Sequence, residues 1–460
     1  MADRSLRPAV SLPVHAPYEV RCPLHGSIPF DERERAIIDH PLVQRLRYIS
    51  QLGFAALVYP GATHSRFSHS LGVMHLAGRV FDHIEEASGP ALATAGYTHA
   101  ALAYCRRIVR LAGLLHDVGH PPFSHSFEPL LPPRSALPLP RDWYEAGRGE
   151  LEARATHEDF SVAAVWALAR EDAAPLSAEE ARDICSLIDG RVAPGPALSG
   201  GNGRRPIYPL LKQIISGEID ADRMDYLRRD AHFVGVTYGM FDLSRLIQSL
   251  ACADLAEGLV MTLEQNALYT YENFLMARFH MAMQVYFHKT LLPFELFLKR
   301  AMEEGEIDFR VDGSLENFLA AREDRVLDAL YHARERRWSG RIVHRRPIAR
   351  LLQLEDMRDD GQRQRLLEAA QALGERNVEI IHLREARPLS TLGAPGREGG
   401  FPIYVERTLL GGTTYRPLHE VSVLLERYNQ VFTIESLYCD PADYEAAAAV
   451  LAPIVAGSGS

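Results

Sequence analysis

Two amphipathic stripes, the second running straight into a chain-breaking loop, constrain this sequence more than any other feature. From Ser65 to about Ala87 the apolar residues Phe67, Leu71, Met74, Ala77, Val80, Phe81 and Ile84 recur at spacings of three and four, which puts them on one face of a helix. A second helix is predicted from Thr98, a suitable N-cap, to His116, through Ile108, Leu111, Leu114 and Leu115. It has to stop there, because Gly119, Pro121 and Pro122 follow. The segment LAGLLHDVGHPPFSHSFE therefore sets a His-Asp pair at the end of a strongly apolar helix, where water is scarce.

Helical patterning begins earlier, near Asp31, with Ile37, Ile38, Val43, Leu46 and Ile49 at compatible spacings; the Pro-punctuated first twenty residues read as an arm. It continues through EDFSVAAVWALA, SGEIDADRMDYLRRDA and the run from Glu264 to Met302. The Pro- and Gly-rich segments 131–141, 191–206 and 387–400 read as surface loops. After about residue 375 the texture changes: the stretches NVEIIHL, FPIYVER, TTYRPLHEVSVLL and QVFTIESLY are rich in β-branched and aromatic residues, before an Ala-rich helix from Pro441 to about Leu451. The expected fold is mainly α. Residues 1–44 form an N-terminal arm and first helix, 45–300 a helical core, and 301–460 a smaller α+β region.

Composition narrows what such a fold can do. No run of about 18 apolar residues free of charge is present, so no membrane span is expected. The N-terminus MADRSLRPAVSLPVHAPYEV has no apolar core of an export signal. The five cysteines, Cys22, Cys105, Cys185, Cys252 and Cys439, are scattered and never form a CxxC pair, which argues against a disulfide framework or a zinc finger and points to the cytoplasm. A formal net charge of −10 disfavours duplex nucleic acid as a partner.

Histidine is the informative count: nine of the nineteen lie between His64 and His157. Burying an ionised Asp117 is costly unless it is paired or bound to a cation, and His116 beside it suggests the cation. His69 on the preceding helix and Asp222 within EIDADRMDYLRRD can supply further ligands. Three helices would then bring two imidazoles and two carboxylates to one point. Such a mixed N/O set suits Mn, Fe, Mg, Ni or Co better than a closed structural zinc site, and on an octahedral ion it leaves positions for water or substrate. A His-Asp dipeptide alone carries little weight; the apolar helix before it and the GHPPFSH loop after it supply the rest. Cleaving a phosphoester also needs acid–base groups. His120, His125 and His157 are available, and His125 stands three residues before Glu128, a carboxylate able to orient and charge it. A satisfied structural histidine is the alternative for each. His64 reads as a pocket edge and His75 as packing.

The succession GATHSRFSHSLGVMHLAG, LAGLLHDVGHPPFSH, ATHED and EIDADRMDYLRRD resembles the HD-domain superfamily, and within it the deoxynucleoside triphosphate triphosphohydrolases, over about residues 18–300. The resemblance implies an HD-domain helical core, with His69, His116, Asp117 and Asp222 holding one divalent metal; a second Mg arriving with the triphosphate is a further expectation. It implies acid–base catalysis by His125, with Glu128 as its partner, and sets His120 and His157 beside the α-phosphate. It gives Arg66 and Arg223 to phosphate oxygens, Tyr226 to the phosphate and sugar neighbourhood, and Asp230 with Gln51 to the sugar 3′-hydroxyl. The segment ARFHMAMQVYFHK resembles a helix of the family, which assigns Arg278 to the terminal phosphate and Tyr286 to the sugar. A ring packed against C2′ would reject a 2′-hydroxyl. The implied reaction is water attack at the α-phosphorus of a (deoxy)nucleoside triphosphate, above all a dNTP, giving nucleoside and inorganic triphosphate. GTP or another ribonucleotide, or a 5′-nucleotidase or phosphodiesterase reaction, are the enzymatic alternatives. A nucleotide-sensing assembly protein is the non-enzymatic one.

The resemblance also implies a homo-oligomer, dimer or tetramer, with an activating nucleotide between subunits. Asp39, Gln44 and Arg47 match positions that contact a guanine activator in vertebrate members, whereas Tyr18 and Arg21 stand where those have lysine and asparagine. The alternative is a structural helix whose charges pair locally.

Overall fold

In a computed structural model, residues 17–144, 152–355, 360–388, 401–409, 412–428 and 431–456 are described. The arm read over the first twenty residues falls largely outside them. From Tyr18 the chain is already a strand: β1 (Tyr18–Cys22) pairs antiparallel with β2 (Gly26–Phe30), Val20 opposite Ile28. Helix α1 (Glu32–Ile38) starts at Asp31, whose carboxylate accepts the Glu34 N–H while the Glu34 side chain returns to the Asp31 N–H.

Helix α2 (Arg66–Thr94) buries the apolar stripe read from the sequence, from Phe67 to Ile84. It bends at Ser88, two residues before Pro90, which has no N–H to give the ladder. The freed Ser88 hydroxyl accepts the Cys252 N–H at 2.8 Å. Helix α3 (His99–Leu115) begins at Thr98, whose hydroxyl accepts the Ala101 N–H, and packs along α2. Helices α4 (His157–Leu168), α5 (Ala178–Ile188), α6 (Tyr208–Ser216) and α7 (Ala221–Val234) complete the helical body. One continuous core, with Leu76, Leu111, Val165, Ile184, Leu211 and Leu227, runs through all of them.

Three expectations are corrected. The stretch from Leu250 to Glu264, read as helical, is a hairpin of β3 (Leu250–Leu255) and β4 (Gly258–Glu264). Six of the seven β4 residues are buried, so its apolar run shows no alternation and periodicity cannot tell it from a helix segment. The run from Glu264 to Met302 is two helices, α8 (Leu268–Met281) and α9 (Leu291–Glu303), separated by a π-type turn over Ala282–Tyr286. The last helix covers Tyr444–Ala456 rather than Pro441 to about Leu451, and runs through Pro453.

Strand β4 pairs in parallel with β5 (Tyr404–Leu409), which pairs with β6 (Gly412–Pro417), so a distant segment completes a four-stranded sheet. A second sheet of three antiparallel strands has Val431–Cys439 at its centre, between Ala349–Glu355 and Ile380–Pro388. Helices Asp360–Glu375 and Tyr444–Ala456 cover it through Leu366, Leu373, Leu437 and Leu451. Of the segment 387–400, read as a loop, Arg387 and Pro388 end a strand and the rest lies outside the described residues.

Candidate metal centre and active site

Three helices converge where the apolar helix α3 runs out. Helix α2 brings His69, the end of α3 brings His116 and Asp117, and α7 brings Asp222. One ligand atom from each of His69, His116 and Asp117 lies within 4.8 Å of the others. Asp222 Oδ1 stands 2.9 Å from His69 Nε2 and 3.5 Å from His116 Nε2. His116 Nδ1 donates to the Gly113 carbonyl at 2.9 Å, which leaves the lone pair on Nε2. That Nε2 is buried and has no hydrogen-bond partner among the described residues. Burial alone would lower both imidazoles, but Asp222 and Asp225 hold His69 up at about 10, and Asp117 and Asp222 raise His116. Two carboxylates pressed on two buried imidazoles draw positive charge to this point. A divalent cation fits the donor set and the orphaned nitrogen, and would take the place of those protons.

A residue with no part in the sequence reading supports the site from behind. His69 Nδ1 donates to Asp225 Oδ2 at 2.8 Å, which turns Nε2 toward the other ligands. Arg229 clamps the same carboxylate with bonds of 2.7 and 2.9 Å, and His25 Nε2 reaches its Oδ1 at 2.6 Å. Burial would raise the Asp225 carboxyl, but Arg229, His25 and His69 hold it well below the usual range.

The loop after α3 carries the candidate acid–base groups. Gly119 crosses the start of α4 so closely that a Cβ there would stand 2.1 Å from the His157 carbonyl oxygen. His120 stacks on His157 with ring centroids 4.0 Å apart, and its Nε2 is 3.2 Å from Asp117 Oδ1. Burial, with Arg66 and His157 nearby, pushes His120 well down, so it is a neutral ring. His157 opens α4, and its Nδ1 pairs with the Glu128 carboxylate. Burial lowers His157, but Glu128 outweighs this and raises it. Glu128, read as the partner of His125, thus holds His157; the His125 side chain lies outside the described residues. Phe123 and Ser124 take left-handed φ values of 56° and 54°, a costly backbone for non-glycine residues. Glu323 holds them there, accepting the Phe123 N–H at 3.1 Å and the Ser50 N–H and hydroxyl at 2.9 and 2.5 Å. Arg45 binds the His120 carbonyl from the same side at 2.9 Å.

A cavity of about 500 Å³ opens from His116, Asp117 and Asp222, and Gln51, Arg66, Arg223, Tyr226, Asp230, Arg278 and Tyr286 all line it. His120 and His157 line it too; His69 and Glu128 do not. Arg66 bonds Ser124 Oγ at 2.9 Å and pairs with Asp117. Arg223 bonds Asp220 at 2.5 Å, and Arg278 lies 3.5 Å from the buried Glu218. The Tyr286 hydroxyl donates to one Asp230 oxygen and His64 Nε2 bonds the other, both at 2.8 Å. His64, read as a pocket edge, is therefore buried behind Asp230 and stacked on Phe233. Gln51 Oε1 is buried with no partner among the described residues. Leu52, Phe279, Met283, Phe287, Leu291 and Leu292 give the cavity an apolar part.

Asp39, Gln44 and Arg47 do not line the cavity. Gln44 donates to the Ile38 carbonyl at 2.8 Å and accepts from Arg47 at 2.7 Å, while Arg47 lies over the Phe67 ring and Asp39 faces Arg35 at 3.4 Å. Tyr18 donates to Glu32 at 2.6 Å. Sequence reasoning missed Asp225, Arg229, His25, Ser124, Asp220, Glu218 and Glu323. Asp225 and Arg229 had a usable signal, standing three and seven residues after Asp222 on one helical face. His25 and Glu323 had none.

Residues 66–230 match the HD domain family. The chain is 28% identical over 320 residues to an uncharacterized protein of Methanocaldococcus jannaschii, covering 68% of this chain and 57% of that one. It is 34% identical over 242 residues to the deoxynucleoside triphosphate triphosphohydrolase SAMHD1 of Homo sapiens, covering 49% of this chain and 34% of that protein. The crystal structure of a hypothetical protein from Aquifex aeolicus is similar with a TM-score of 0.69, at 28% identity, over 94% of this chain and 99% of that one. This chain therefore carries a mainly helical HD fold, with small sheets mostly in its C-terminal part. Among the described residues, no helix is long and apolar enough to cross a membrane.

Proposed function

We propose that this chain, through its HD domain, is a metal-dependent phosphohydrolase that cleaves (deoxy)nucleoside triphosphates, above all dNTPs, at the α-phosphate. The observation that carries the reading is one cavity shared by the His/Asp cluster and three arginines, Arg66, Arg223 and Arg278. Its size suits a nucleotide, within the range of about 300–1,000 Å³ common for ligand pockets. Its apolar part suits a base. The similarity to SAMHD1 supports the choice of substrate class.

His69, His116, Asp117 and Asp222 would hold one Mn, Fe, Mg, Ni or Co ion. Such an ion, when bound, polarises a phosphoryl oxygen and makes a nearby water a better nucleophile at neutral pH. The arginines bind the phosphates and offset the charge that develops on them. His157, favoured toward its charged form by Glu128, and His120 donate hydrogen bonds to phosphoryl oxygens. Proton delivery to the leaving 5′-oxygen falls to His125. Asp230, with Gln51, takes the sugar hydroxyl, and the Tyr286 ring packs beneath the sugar. A homo-oligomer, dimer or tetramer, belongs to the same reading and is measured by light scattering.

The test is a panel of dNTPs, NTPs, nucleoside monophosphates and cyclic nucleotides with chromatography of the products. Nucleoside plus inorganic triphosphate from dNTPs is the expected result. Nucleoside diphosphate plus single phosphate would rule out attack at the α-phosphorus. Turnover of GTP alone, or of monophosphates, would move the assignment to the corresponding alternative. No turnover with any metal would leave a nucleotide sensor.

A further inference from the structure

His25 sits in the turn between β1 and β2, where polar side chains normally face water. Its side chain is instead 1% exposed and points inward onto Asp225, itself fully buried. His25 Nε2 and Asp225 Oδ1 are 2.6 Å apart, and the other oxygen of the same carboxylate takes the His69 N–H at 2.8 Å. With two bonds from Arg229, the carboxylate accepts four in all, which is its full capacity. The His25 ring also rests on His75, with centroids 5.5 Å apart, six residues beyond His69 on α2. Gly72 lies directly over the carboxylate and leaves no room for another side chain there.

We propose that the turn of the N-terminal hairpin is a working part of the metal centre: His25 positions Asp225, and through it the ligand His69, so the seating of the hairpin governs metal affinity. This rests on the metal-site reading above. Without His25, Oδ1 keeps a bond from Arg229 alone and the carboxylate turns toward the guanidinium. His69 then loses the fixed acceptor that directs its Nε2 at the ion. His25 is a positioning residue, touching neither metal nor substrate. A histidine that merely completes the packing of the hairpin would change stability and leave metal affinity alone.

The experiment strips the full chain of metal and titrates it with Mn(II) alone, following free Mn(II) by electron paramagnetic resonance and apo stability by thermal melting. His25→Ala is expected to weaken Mn(II) binding about 10-fold or more, the size of effect seen when groups behind a metal ligand are removed. His25→Gln, whose amide nitrogen reaches the Nε2 position, should recover most of it. If wild type binds no Mn(II), or His116→Ala binds it equally well, the metal-site reading itself fails. If wild type binds, His116→Ala does not, and His25→Ala stays within about twofold of wild type, the role of the hairpin is wrong. Should His25→Ala not fold, His25→Gln is compared with His25→Asn, whose shorter amide falls short of Asp225. Tighter binding by the Gln variant supports the proposal; equal affinities overturn it.

Discussion

Gly72→Ala sets helix propensity against tertiary packing with opposite expected signs. In a helix interior Ala is favoured over Gly by about 0.8–1 kcal/mol, so the substitution should stabilise α2 taken alone. In the folded protein the added Cβ would stand 2.1 Å from Asp225 Oδ1 and 2.5 Å from Arg229 Nη2. Neither neighbour is a mobile surface tip, since both side chains are fully buried and bonded to each other. Reaching an ordinary separation of about 3.5 Å means moving the carboxylate by roughly 1 Å or more. That breaks at least two of its charge-assisted hydrogen bonds, at about 1.5–3 kcal/mol each. Subtracting the propensity gain leaves a net loss of about 2–5 kcal/mol. Gly89, in the same helix beyond the bend, has nothing within 4 Å of its would-be Cβ. Gly89 stands directly before Pro90, whose ring crowds a side chain at that position, so Gly89→Ala should stay within about 0.5 kcal/mol of wild type. Urea unfolding of the metal-free proteins, with Mn(II) titration of the same samples, reads both effects. A Gly72→Ala protein as stable as wild type, with unchanged Mn(II) affinity, would refute the packing described for Asp225.

Paired His116→Ala and Asp117→Ala substitutions should abolish both bound metal, by elemental analysis, and phosphohydrolase turnover; metal retained at full stoichiometry would locate the ion elsewhere. Glu323→Ala strands the buried Phe123 and Ser50 N–H groups, at about 1–3 kcal/mol each, and releases the left-handed pair at 123 and 124. Its unfolding free energy should fall by about 2–5 kcal/mol and its kcat/KM should fall further than that of Glu323→Gln; no change in either contradicts a clamp. Metal uptake should strengthen with pH. Burial pushes His69 down, but Asp222 and Asp225 raise it from 6.5 to about 10, so below that pH a cation must displace a proton. Mn(II) affinity should then rise about tenfold per pH unit for each proton released, and equal affinities one unit apart near neutrality would sink the idea. The same raised value stabilises the metal-free fold fully below about pH 6.5, a contribution lost as the pH climbs through about 10.

Much of the helical body is legible in the sequence. The stripes of α2 and α3 are long, strictly periodic and bounded by Thr98 on one side and the Gly-Pro-Pro loop on the other, so local rules suffice. The β3–β4 hairpin is not legible, because burial on both faces erases the alternation that would mark it. Its parallel partner, Tyr404–Leu409, begins in the β-branched and aromatic stretch FPIYVER, but it lies far along the chain and no local pattern says that it pairs with β4. The candidate ligands follow from residue type and helical spacing, since only His and Asp at the end of an apolar helix demand a cation or a counter-charge.

Residue types and their spacing supply the groups: two imidazoles, two carboxylates and the arginines able to meet an anion. Tertiary structure decided how they are presented. The Gly113 carbonyl sets which nitrogen His116 offers, and Asp225 turns His69 from 156 residues away. The histidine that completes the Asp225 carboxylate is 200 residues distant, in a hairpin with no feature to mark it. A residue's type states what it can bond, and local periodicity states which face it occupies. Which buried atom finds which partner depends on chain segments brought together only by packing, and no local pattern encodes that meeting.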